Sequence, residues 1–165
     1  MNNSKILLSS ITISILCSVN LSAACPNGTE SGDTCTISGA TINDSVTPWH
    51  NRNPGGDSIG KTLIIENGTH ITQGNQKSTY AGSVRNGKAD ENTLIITGGS
   101  VLNVEYVSGG KVNNPIDTSS ASNNSVTISG ANTQVTSKHI LSGGWTAGEG
   151  TANENIVTIK EGATV

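Results

Sequence analysis

Asn92-Thr93-Leu94-Ile95-Ile96-Thr97-Gly98-Gly99 is an apolar run of strand length closed by glycine, and the chain repeats it. Asp33-Thr34-Cys35-Thr36-Ile37-Ser38-Gly39 and Lys61-Thr62-Leu63-Ile64-Ile65-Glu66-Asn67-Gly68 precede it. Asn124-Ser125-Val126-Thr127-Ile128-Ser129-Gly130 and Asn155-Ile156-Val157-Thr158-Ile159-Lys160-Glu161-Gly162 follow it. The five copies start at 33, 61, 92, 124 and 155, so the chain is a near-regular repeat of about 31 residues. Apolar residues within a copy alternate, as in Val126/Ile128 and Val157/Ile159, which is the period of a strand and not of a helix.

Each unit continues in the same way. A glycine-containing turn leads to a second short strand at His70-Ile71-Thr72, Val101-Leu102-Asn103-Val104, Gln134-Val135-Thr136 and the incomplete Ala163-Thr164-Val165. A third strand is expected to begin near Tyr80, at Tyr106-Val107 and at Ile140-Leu141. It is expected to end at the glycine pairs Gly109-Gly110 and Gly143-Gly144. A polar loop returns to the next unit. Equivalent strands at a fixed long period pair in register with their counterparts one unit away, which favours parallel stacking over antiparallel hairpins. The expected fold is therefore all-β, a right-handed parallel β-helix (solenoid) with rungs of about 31 residues, with no helix after the leader. A lone rung buries too little to hold itself, and stability comes with stacking.

Composition agrees. Phenylalanine is absent, aromatics are 2% of the chain, charged residues 13%, and 20 positions are glycine. Val, Ile, Leu, Ala and Thr suit thin layers between stacked strands, where β-branched side chains pack well. The net charge of −3, with basic residues scattered, provides no electrostatic footprint for nucleic acid.

Residues 1–24 read as a cleavable signal helix: Lys5 in a short positive region, an apolar stretch over Ile6 to Leu16, and small residues at Ser22-Ala23-Ala24 before the cut. Residues 25–60 then form an N-terminal cap and first coil, and 61–165 the β-helix repeats, whose last rung stops incomplete at Val165. Cys17 leaves with the leader. Cys25 and Cys35 remain as an even pair in a flexible Pro/Gly/Asp-rich segment, which in an oxidising compartment favours a disulfide. The competing reading is a displaced lipobox at Leu21-Ser22-Ala23-Ala24-Cys25, with Cys25 lipidated.

The leader, the Asn-x-Val-Thr-Ile-x-Gly units and the Tyr-Val-Ser-Gly-Gly and Ile-Leu-Ser-Gly-Gly-Trp segments together resemble the passenger of a bacterial autotransporter, over about Asp33 to Val165. The resemblance implies a Gram-negative protein exported across the inner membrane, exposed at the cell surface through a translocator barrel of the intact gene product, and otherwise periplasmic. These 165 residues contain no such barrel. It further implies adhesion or self-association, with host-surface glycans or proteins, or like molecules on neighbouring cells, as partners.

Chemistry-bearing residues are sparse. His50, His70 and His139 fall at different offsets in three rungs and suggest no metal site. Gly55-Gly56-Asp57-Ser58-Ile59-Gly60 has the look of a calcium-binding repeat, but occurs once and reads as a loop. Asp90/Glu91 and Glu149/Glu154 lie in turns, where acidic residues are ordinary solvation. No catalytic residue, metal or cofactor is assigned, and a non-enzymatic role is expected. Trp49 and Trp145 are the contact candidates, since exposed aromatics stack on sugars and anchor partners. Trp49 reads equally as a plug of the first coil, and Trp145 as a cover over the glycine turn. Two other roles stay open: a β-helical carbohydrate-active enzyme, and a structural stalk without a ligand.

Overall fold

The computed structural model describes residues 25, 28–53, 55–72 and 77–165. Residues 1–24, expected from the sequence to be a signal helix, lie outside the described residues. The described chain is all-β, with no helix, and winds about four turns of a parallel β-solenoid. Twelve strands build it. The first coil holds β1 (Thr29–Ser31), β2 (Thr34–Ser38), β3 (Thr41–Ile42) and β4 (Trp49–Asn51). The second holds β5 (Thr62–Glu66), β6 (His70–Thr72) and β7 (Ser78–Val84), and the third β8 (Thr93–Ile96) and β9 (Val101–Val112). The fourth holds β10 (Ser125–Ser129) and β11 (Gln134–Thr146), and β12 (Ile156–Lys160) opens the next.

One sheet runs β1-β2-β5-β8-β10-β12. Its parallel members pair Thr34 with Thr62, Thr62 with Thr93, Thr93 with Ser125 and Ser125 with Ile156. The structural register is thus the register of the five sequence copies. The exception is β1, which folds back antiparallel on β2 and covers the first coil's edge.

Alternate residues of each copy point inward and stack by kind. Cys35, Leu63, Leu94 and Val126 form one fully buried column, and Ile37, Ile65, Ile96 and Ile128 another. Ile42, Ile71, Leu102 and Val135 form a third, on the second sheet. The outward positions of the first sheet are largely hydroxyl-bearing, and Ser125 Oγ donates to Thr93 Oγ1, as Ser129 Oγ does to Thr97 Oγ1, both at 3.2 Å.

Two corners recur in the left-handed conformation. Gly39, Asn67, Gly98, Gly130 and Glu161 all have φ between 53° and 91° after the first strand. Gly60, Glu91, Asn123 and Glu154 have φ between 55° and 67° before the next one. Asn and Gly accept this conformation at low cost; the glutamates show that stacking imposes it on other residues too.

The third strand differs from expectation in two ways. In the third and fourth coils the second and third strands are continuous, and β9 and β11 continue through their glycine pairs. Tyr80 pairs with Ser108, and it is Ser78 that pairs with Tyr106, so the true alignment is shifted by two residues. The glycines are needed there for space. A Cβ on Gly110 would lie 2.2 Å from the Ala89 carbonyl oxygen and 2.5 Å from Asn124 Oδ1; one on Gly144 would meet Ala121 O and Asn155 Oδ1 as closely.

What fills that space is a ladder of asparagines from the first position of successive copies. Asn92 N–H donates to Asn124 Oδ1 at 2.8 Å, and Asn124 N–H to Asn155 Oδ1 at 2.9 Å. Lys61 N–H caps the series on Asn92 Oδ1 at 2.9 Å. The ladder separates the main core from a smaller one made by Val84, Ala89, Val112 and Ala121 beneath the third corner. Side-chain amides thereby satisfy backbone groups at the pinch, where burial would otherwise leave them unpaired.

A candidate binding face on the second sheet

The second sheet pairs β3-β6-β9 and β4-β7-β9, with β11 on the other side of β9. Trp49 pairs with Gly82, so it occupies in the first coil the place that glycine holds above it. The next ladder position there is Lys61, which sends no amide inward, and the Trp49 ring fills the room instead. It is 8% exposed and belongs to the main core. Trp49 is a plug of the first coil.

Trp145 is placed differently. It pairs with Lys111, one residue beyond the glycines, and is half-buried on the outer face. Its indole lies parallel to the Tyr106 ring, at 5° and 5.7 Å between centroids. Lys111 Nζ stands 4.4 Å from the Trp145 ring centre, 4.9 Å from Tyr80 and 5.2 Å from Tyr106. It also donates to Tyr80 Oη at 3.0 Å. His139 packs on the open side of Tyr106 at 5.3 Å.

Tyr106 and Lys111 are five residues apart on one strand. In a regular strand that spacing puts side chains on opposite faces and about 16 Å apart. Their meeting shows that β9 bends inward at Ser108–Gly110, making a hollow on the outer surface where half-buried Tyr106, Lys111 and Trp145 come together over the buried Tyr80 ring. Burial pushes the Lys111 amine down to about 8 and holds the Tyr80 phenol above its ordinary range. The three ring faces oppose the first effect by attracting the ammonium.

Beside this cluster, toward the first coil, His50, Arg52, Arg85 and Asn113 line an open depression of about 320 Å³. His50 Nδ1 is 3.0 Å from Ser83 Oγ, which also accepts from Asn113 Nδ2 at 3.0 Å. Burial first, then the positive charges of Arg52 and Lys111, holds His50 below its usual value.

Cys25 and Cys35 are joined as a disulfide with Cα atoms 5.4 Å apart, tying the chain before β1 to the first strand of the stack. Among the described residues no three His, Cys, Asp or Glu side chains are grouped to hold a metal ion. His50 and His139 lie on the outer face described above, and His70 is exposed on β6. Asp90 serves the loop stack, accepting from Ser120 Oγ at 2.7 Å and Ser122 N–H at 2.8 Å.

Reasoning on the sequence singled out Trp145 but missed Tyr80, Tyr106 and Lys111 as its companions. A signal was present: Lys111 and Trp145 each follow a Gly-Gly pair directly, which aligns one over the other. Comparison with known proteins returns nothing: no family model, curated protein or solved structure matches the chain.

Proposed function

We propose that this chain is a surface-exposed passenger segment of the autotransporter kind, exported across the inner membrane, which makes adhesive or self-associating contacts through the outer face of its second sheet. The supporting observation is the gathering of aromatics. The chain has two Trp, two Tyr and no Phe. Two of these four rings, Tyr106 and Trp145, are half-exposed and stand around Lys111 over the buried Tyr80 ring, while Trp49 serves the core. Tyr and Trp contribute much contact area at little entropic cost and are the usual anchors of recognition. Phenol, indole, imidazole and ammonium groups side by side suit holding a partner. The rigid stack supports them, since Tyr106 and Lys111 stand on β9, which is paired on both sides, and strands hold side chains better than loops do.

The test is adhesion of beads coated with the whole chain, to host cells and to one another. Replacing Tyr106 and Trp145 together by alanine is expected to remove most of the binding and leave the circular dichroism unchanged. Undiminished adhesion would identify the segment as a stalk, and the reading would be abandoned.

A further inference from the structure

The depression and the aromatic cluster are parts of one surface. His50, Ser83, Lys111 and Trp145 occupy one column, paired rung to rung. Arg52, Arg85 and Asn113 follow in the next: Arg85 N–H donates to Asn51 O at 3.1 Å, and Asn113 N–H to Val84 O at 3.0 Å. Neighbouring rungs are about 4.8 Å apart. Along the solenoid axis the face therefore passes from two guanidiniums, through Lys111, to the stacked Tyr106 and Trp145 rings.

We infer that this face binds an acidic saccharide, its apolar ring face laid on Trp145 and its carboxylate or sulfate held by Arg85, Arg52 and Lys111. The inference rests on the contact reading above and names the partner's chemistry.

Charge placement carries the first half of the argument. The chain has only two arginines and a net charge of −3, yet both arginines stand on this face. Both are exposed, and among the described residues neither guanidinium has an ion-pair or hydrogen-bond partner. Two unpaired guanidiniums one rung apart offer forked donors that match a carboxylate or sulfate. Their surroundings are firm, because the Ser83 hydroxyl ties His50 to Asn113 behind them.

Ring geometry carries the second half. The half-exposed Trp145 ring complements the C–H face of a sugar ring, whose hydroxyls stay in water, with Tyr106 stacked against it as support. An acidic peptide would satisfy the arginines as well, but peptides on β-structures gain most of their affinity by adding to a sheet edge. The groups here are side chains on the sheet's outer face and not its edge amides. Tyr106 and Lys111 stand on β9, paired on both sides, and Arg52 and Arg85 just beyond the ends of β4 and β7.

The experiment is titration of the whole chain, followed by tryptophan fluorescence, with oligogalacturonate (carboxylate only), a sulfated heparin fragment, neutral dextran and poly-glutamate. Trp145 reports binding, while buried Trp49 contributes a constant signal. Saturable binding of oligogalacturonate or of the heparin fragment is expected, with at least tenfold weaker binding of dextran and poly-glutamate. Replacing Arg52 and Arg85 together by glutamine should weaken the anionic sugar at least tenfold. Trp145→Ala, followed by calorimetry, should do the same at unchanged salt dependence. Poly-glutamate binding as tightly as the sugars, or affinity indifferent to the arginine pair, overturns the inference. Adhesion that depends on Trp145 without any acidic-sugar binding removes this inference and leaves the contact reading standing. Sugar binding with adhesion indifferent to Trp145 does the reverse.

Discussion

Gly110 and Asn124 share one small space at the pinch of the solenoid, 14 residues apart in sequence and a van der Waals contact apart in structure. The missing side chain of one is the room for the side chain of the other. Gly110→Ala is therefore expected to lose about 1–3 kcal/mol by overpacking, measured by urea denaturation. Shortening Asn124 as well should not restore it, because the Ala89 carbonyl oxygen also stands in the way.

The ladder itself has a graded cost. Asn124 is 1% exposed and accepts the backbone N–H of Asn92. Asn124→Ala strands that buried donor and is expected to cost about 1–3 kcal/mol. Asn155→Ala, in a partly exposed rung, should cost less. Equal losses at both positions would show that the ladder does not work through burial.

The two tryptophans separate stability from contact. Trp49→Ala opens a cavity in the first coil and is expected to cost about 3–5 kcal/mol. Trp145→Ala removes a half-exposed ring and should change the denaturation midpoint little. Hydrogen exchange resolved along the chain will locate the first loss in residues 28–53.

Much of the fold was legible in the sequence, and the reason is physical. The first strand of each copy buries alternate residues and recurs at one period, so Leu63, Leu94 and Val126 fall into line by spacing alone. The third strand resisted because a glycine pair has two meanings. Gly109-Gly110 reads as a turn when glycine is taken for backbone freedom, but here it serves close approach, and the strand continues. The hollow between Tyr106 and Lys111 depends on that bend, so no spacing rule brings those two residues together.

Cys25→Ser tests the head of the rod. The disulfide closes a short loop across β1, and its loss is expected to cost about 2–3 kcal/mol through the freer unfolded chain. The consequence should stay local: faster exchange in β1 and β2, with β8 to β11 unchanged.

Lys111 is expected to make stability, and the proposed anion binding, depend on pH. Folding lowers its proton affinity, so protonation opposes folding fully below about pH 8, and the penalty fades as pH rises toward the ordinary lysine value of 10.5. The groups around it are Tyr80, Tyr106 and Trp145, with His50 contributing positive charge only in acid. Stability should thus gain slightly as pH passes 8, while affinity for an anionic sugar falls. Lys111→Met should abolish the alkaline fall in affinity when oligogalacturonate is titrated at pH 7 and at pH 9.

The left-handed corners divide the chain into parts that are free to diverge and parts that are not. Between them the first strand admits no change in length, since one extra residue would turn every inward side chain outward. The segments at 52–60, 85–91, 113–123 and 147–154 already differ in length, yet they stay tied rung to rung through Ser58 N–H on Lys88 O, Ala89 N–H on Ser120 O and Ala121 N–H on Thr151 O. Evolution can therefore lengthen or recompose these segments between those bonds but not at them, where Ala89 and Ala121 are fully buried. Descendants of this chain would share one scaffold and differ in what they recognise.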